Sequence, residues 1–145
     1  MNKPHHIEAF DTSLQKTYSL IKDIAADLQW EDLSHQAYGA LRAVLHALRD
    51  RLTVEESAHL AAQLPMLVRG FYYEGWKPAQ VPKKMHLEEF LNEVRSQCTF
   101  FFADEPADLV KVVFKNLRKH IDPGEMAHVK NTLPKDIREL IADVA

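Results

Sequence analysis

The stretch VLHALRDRLTVEESAHLAAQLPMLVR, residues 44–69, returns 69 residues later as VFKNLRKHIDPGEMAHVKNTLPKDIR, residues 113–138. Across residues 37–71 and their partners nine positions are identical, among them Val44/Val113, Arg49/Arg118, Glu56/Glu125, His59/His128, Leu64/Leu133, Pro65/Pro134 and Arg69/Arg138. Chance would give roughly two at ordinary residue frequencies. Substitutions keep the physics: Leu52/Ile121 and Val68/Ile137 stay apolar, and Thr53/Asp122 both suit a helix N-cap. Each copy reads as an apolar helix, a cap with Glu at the third helical position, a second helix, and a Leu-Pro break that opens a short one. This predicts an all-α chain of two pseudo-twofold-related copies of a three- to four-helix unit. The copies share a compact core, because neither has enough apolar surface to hide alone.

Outward from the repeat, apolar residues keep helical spacing. Leu14, Tyr18, Ile21, Ala25 and Leu28 form one stripe, with Thr12 and Gln15 placed as a capping box at its start. Met66–Tyr73 is a short helix after Pro65. Glu74–Lys84, with Gly75, Pro78 and Pro82, carries the breakers of a linker. Beyond it Phe90, Leu91, Val94 and Phe101 restart the pattern, Asp104 caps the next helix, and Asp122 caps another with Pro123 at its first position. The expected organisation is a flexible N-terminus over 1–9, a first repeat over 10–74, a linker over 75–85 and a second repeat over 86–145.

Composition narrows the function classes. Charged residues are 27% and the net charge is −3, with 7 basic and 10 acidic side chains up to residue 75 and 11 of each after it. Neither half has the basic excess that binding nucleic acid needs. No stretch approaches the ~18 apolar residues of a membrane span, and the N-terminal residues lack a signal-peptide core. Cys98 is the one cysteine, beside aromatic residues and without local catalytic partners, so it reads as a buried apolar thiol. The expected compartment is cytoplasmic. With 4 glycines, phosphate-loop and dinucleotide fingerprints are absent.

Two constellations are candidates for a site. Glu56-x-x-His59 and Glu125-x-x-His128 supply the two Glu-x-x-His motifs of dinuclear iron or manganese carboxylate bundles, which need one further Glu from each of two other helices. Against this, Glu56 and Glu125 fall in first turns, where capping and the positive helix end explain a Glu, whereas bundle ligands lie mid-helix. The second constellation is Arg69, Phe71, Tyr72, Tyr73 and Trp76, an aromatic cluster beside an arginine, which suits an interface or a pocket. It equally suits the seam between repeats.

The strings HALRDRLT (46–53), AAQLP (61–65), RGFYYEGW (69–76), IDPGE (121–125) and LPKDIREL (133–140) resemble the bacterial family called domain of unknown function 2267. The resemblance runs from about Phe10 to Ile141. It implies a bacterial origin and an all-helical fold, and it implies no activity. The expectation is a non-catalytic module working through a protein partner or as a homo-oligomer, with no cofactor and neither nucleic acid nor membrane as partner. The alternatives are an iron- or manganese-dependent bundle enzyme and a carrier of small apolar ligands lined by Phe71, Tyr72 and Phe114.

Overall fold

A computed structural model describes residues 6–145, so the first five residues of the expected N-terminal segment lie outside the described residues. Among the described residues eight α-helices follow in chain order: α1 (Glu8–Asp27), α2 (Ser34–Arg51), α3 (Val54–Gln63), α4 (Met66–Tyr73), α5 (Leu87–Gln97), α6 (Pro106–Leu117), α7 (Pro123–Thr132) and α8 (Lys135–Ile141). A single 3₁₀ turn, Pro78–Gln80, interrupts the connection from α4 to α5.

The starts of α3 and α4 recur 69 residues on in α7 and α8, with Thr53 and Asp122 as one pair of N-caps and Pro65 and Pro134 as the other. At the first pair the capping chemistry is fully formed. Thr53 Oγ1 accepts from Glu56 N at 3.2 Å, and Thr53 N donates to Glu56 Oε1 at 2.9 Å. Asp122 Oδ2 accepts from Gly124 N and Glu125 N. These bonds satisfy donors that every helix start leaves open.

The centre is α2, in which eleven of eighteen residues are buried. Its alanines, Ala37, Ala40, Ala43 and Ala47, let neighbours approach closely, and α1, α4, α5 and α6 all pack on it. The remaining contacts fall into pairs. Helix α1 packs on α2 and α5 on α6; α4 meets α2 and α8 meets α6; α2 touches α5 while α6 touches α1; α2 meets α6 and α3 meets α7. Only α1–α4 and α3–α4 lack a counterpart of similar extent.

Several expectations are corrected. Helix α1 begins at Glu8, so Thr12 lies inside it and makes no cap. Asp104 does not cap α6; Glu105 stands at that N-cap, and Asp104 accepts a hydrogen bond from Trp30 Nε1 at 3.2 Å. Phe101 is 87% exposed, and its neighbour Phe102 enters the core beside Trp30 and Phe100. Most consequential, Leu14 and Tyr18 are not covered. Ile21, Ala25 and Leu28 are buried, but Leu14 is 43% and Tyr18 56% exposed.

Candidate functional site

The repeated Glu-x-x-His motifs lie on α3 and α7, which pack on each other. His59 and His128 do come together, with ring centroids 6.4 Å apart. Their carboxylates do not join them. Glu56 is turned back to the Thr53 N–H as the capping box requires, and it is Glu55 that reaches His59 Nε2, at 3.9 Å. Glu125 has one buried carboxylate oxygen without a hydrogen-bond partner. Among the described residues no three His, Cys, Asp or Glu side chains gather so as to hold a metal ion, and a bundle metal site needs more than two protein ligands. The ligand set for iron or manganese is therefore not assembled.

The aromatic segment mostly serves the fold. Tyr72 is fully buried, and its hydroxyl bonds Ser57 of α3; burial raises its ionisation well above the ordinary tyrosine range. Arg69 spans from α4 to the end of α3, donating from Nε to Ala61 O at 2.9 Å and from Nη2 to Leu64 O at 3.2 Å. Phe71 is 8% exposed and stacks edge-on against Tyr38. Tyr73 and Trp76 are half-buried and pack together at the end of α4. Beneath them Arg49, 4% exposed, donates from Nε to Asp50 Oδ1 and from Nη1 to Tyr72 O and Glu74 O. A fixed cation there matches the negative end of α4. Its repeat partner Arg118 is exposed. For an internal apolar site, Tyr72 and Phe114 are 0% and 1% exposed and packed in the core cluster.

The feature that sequence reasoning missed is on α1. Ile7, Phe10, Leu14 and Tyr18 recur at helical spacing and are 49%, 58%, 43% and 56% exposed. Leu14 and Tyr18 form one wall of an open groove of about 460 Å³; Leu67 and Phe71 of α4 form the other, with Tyr38 at its end. Leu67 is itself 46% exposed, and Ser13 Oγ accepts from its backbone N–H at 2.8 Å, tying α4 to α1. Five of the nine large apolar side chains that the described residues expose thus share one face. The signal was in the sequence: α1 carries two apolar stripes, this one and the buried set Leu20, Ile21, Ile24 and Leu28.

With this geometry in place, a family model described as "Uncharacterized conserved protein (DUF2267)" matches residues 17–140. The chain belongs to this family. No curated protein matches the sequence. The DUF2267 match covers both occurrences of the helix–cap–Glu unit but begins at Thr17, so Phe10 and Leu14 of the exposed stripe lie outside it. Among the described residues no helix is long and apolar enough to cross a membrane.

Proposed function

We propose that this DUF2267 protein is a non-catalytic helical module that acts through protein contact, made by the α1–α4 face. The observation that carries it is the clustering of exposed Leu14, Tyr18 and Leu67 along one groove, with exposed Phe10 one turn before Leu14 on the same stripe of α1. Contiguous apolar surface of this kind marks contact sites, whereas scattered apolar residues need no explanation. Phe71 contributes the groove's inner wall. The module is built from two pseudo-twofold copies, residues 10–74 and 86–145, joined by a linker at 75–85, and works in the cytoplasm. The shared 69-residue offset of helix starts and the paired helix contacts support that architecture. The approach of His59 to His128 supports it too, because equivalent residues must meet near a twofold axis.

The test is a photo-cross-linking amino acid placed at Phe10 or Tyr18 in cells making the protein, with Phe101 as an equally apolar exposed control. Adducts to protein are expected from Phe10 and Tyr18 and not from Phe101. Equal labelling at all three positions, or none at any, would overturn the assignment.

A further inference from the structure

We infer that the occupant of the α1–α4 face is a second copy of this chain, docked with the two α1 helices antiparallel about a twofold axis beside Gln15. This rests on the contact reading above and names the partner. Three features of α1 point to it. First, the solvent flank of the stripe carries exposed Glu8 at one end and exposed Lys22 at the other, with Gln15 midway in sequence. An antiparallel pair centred at Gln15 sets each Glu8 opposite the partner's Lys22, and amide against amide at the axis. A parallel pair would set Glu8 against Glu8, which is repulsive.

Second, the stripe interleaves with itself in that arrangement. Measured along the helix from Gln15, Leu14 lies one residue to one side and Tyr18 three to the other, with Phe10 five and Ile7 eight on the Leu14 side. The twofold inverts these positions, so no two apolar side chains meet at one height. Knobs of each helix enter the gaps of the other, as close helix packing requires.

Third, the area is right. Five half-exposed apolar side chains offer about 500 Å² per copy, taking roughly 200 Å² for a whole large one. At the usual apolar share of an interface this corresponds to about 900 Å² per partner, within the standard size for a specific complex. By the 69-residue offset, α5 corresponds to residues 18–28, so no α-helix of the second half corresponds to Glu8–Thr17. The face occurs once per chain, and an isologous contact used once closes as a dimer. A membrane surface is the poorer occupant, since the flank lacks the Lys and Arg run that such helices carry.

Sedimentation velocity on the full chain tests this over a concentration series. The wild type is expected to dimerise in the micromolar range, and Leu14→Asp to be monomeric with unchanged helicity. Glu8→Lys and Lys22→Glu should each raise the dimer Kd about tenfold, equivalent to 1.4 kcal/mol, and together restore it. A wild type that stays monomeric at high micromolar concentration overturns the inference. If its cross-links at Phe10 then join it to a different protein, or it binds anionic vesicles through this face, the second copy is replaced by that occupant; the first of these keeps the protein-contact reading and the second does not. A dimer that ignores Leu14→Asp, or one that Leu14→Asp breaks but the charge swap leaves unchanged, also overturns the arrangement.

Discussion

Arg49 carries a full charge at 4% exposure, and it does so because one carboxylate and two carbonyls surround it. Removing it strands Asp50 and the last carbonyls of α4 in a buried setting. Arg49→Ala should therefore lose about 3 kcal/mol in urea unfolding, and Arg49→Lys most of that, because an ammonium cannot reproduce the guanidinium fork. Arg118→Ala, at the exposed equivalent position, should change stability by less than about 0.5 kcal/mol. Equal losses at the two sites would show that Arg49 is not the fixed charge described. Cys98, read from the sequence as buried, is half-buried. Burial pushes its thiol up to about 11, so the thiolate is scarce at neutral pH. Alkylation at about pH 8 should run roughly a hundredfold slower in the folded protein than in urea; comparable rates would contradict the burial.

Among the elements, the caps at Thr53 and Asp122 were legible in the sequence, whereas Thr12 and Asp104 had the right residue type and do not cap. Thr53 followed by Glu56 has one economical explanation, and the structure forms both bonds. Thr53→Ala should cost about 1 kcal/mol, with chemical denaturation as the check, and added metal should leave that difference unchanged. The stripe on α1 was less legible for a physical reason. Periodicity shows that a helix has an apolar face; it does not show whether a neighbour covers it. Leu14 and Tyr18 have the spacing of core residues and are 43% and 56% exposed. Likewise Phe101 and Phe102 are equivalent by composition, and only the path of the connection selects Phe102 for burial. At the end of α1, Gln29 adopts φ 60, a left-handed conformation that favours glycine. Gln29→Gly should stabilise the protein by about 0.5–1 kcal/mol in thermal or urea unfolding, and a loss would mean that the Gln29 side chain contributes more than its backbone strain costs.

The molecule as a whole couples its halves through buried polar groups as well as apolar ones. Asn116 of α6 is fully buried and donates to Asp27 of α1 at 3.0 Å, a bond that chiefly holds the Asp27 carboxyl below its ordinary range. His46, at the centre, is paired through Nε2 with Phe71 O at 2.7 Å, and burial lowers its protonation below the ordinary value of 6.5, as burial also does for His120. Both rings are kept neutral in the fold, so the unfolded chain binds more protons once the pH falls below about 6.5. Stability is full above that value and is lost as pH falls through the folded-state values, with a further loss from Asp27 in the carboxylate range. Thermal unfolding should shift to lower temperature from about pH 7 to about pH 5, and His46→Gln should flatten that slope; an unchanged slope would remove His46 as a cause. The all-helical plan was readable because apolar positions keep helical spacing, and the caps and prolines that start α3, α4, α7 and α8 recur at one offset. The proposed contact face was not, because spacing alone leaves Phe10, Leu14 and Tyr18 indistinguishable from core positions. The central claim is that this part of α1 is a contact surface that a second copy covers. Its most direct test is hydrogen–deuterium exchange of the pure protein at low and high concentration. Peptides spanning Glu8–Lys22 and Met66–Phe71 should gain protection as concentration rises, while α5, α7 and α8 stay unchanged. Concentration-independent exchange in α1, or protection arising on α7 and α8 instead, would contradict it.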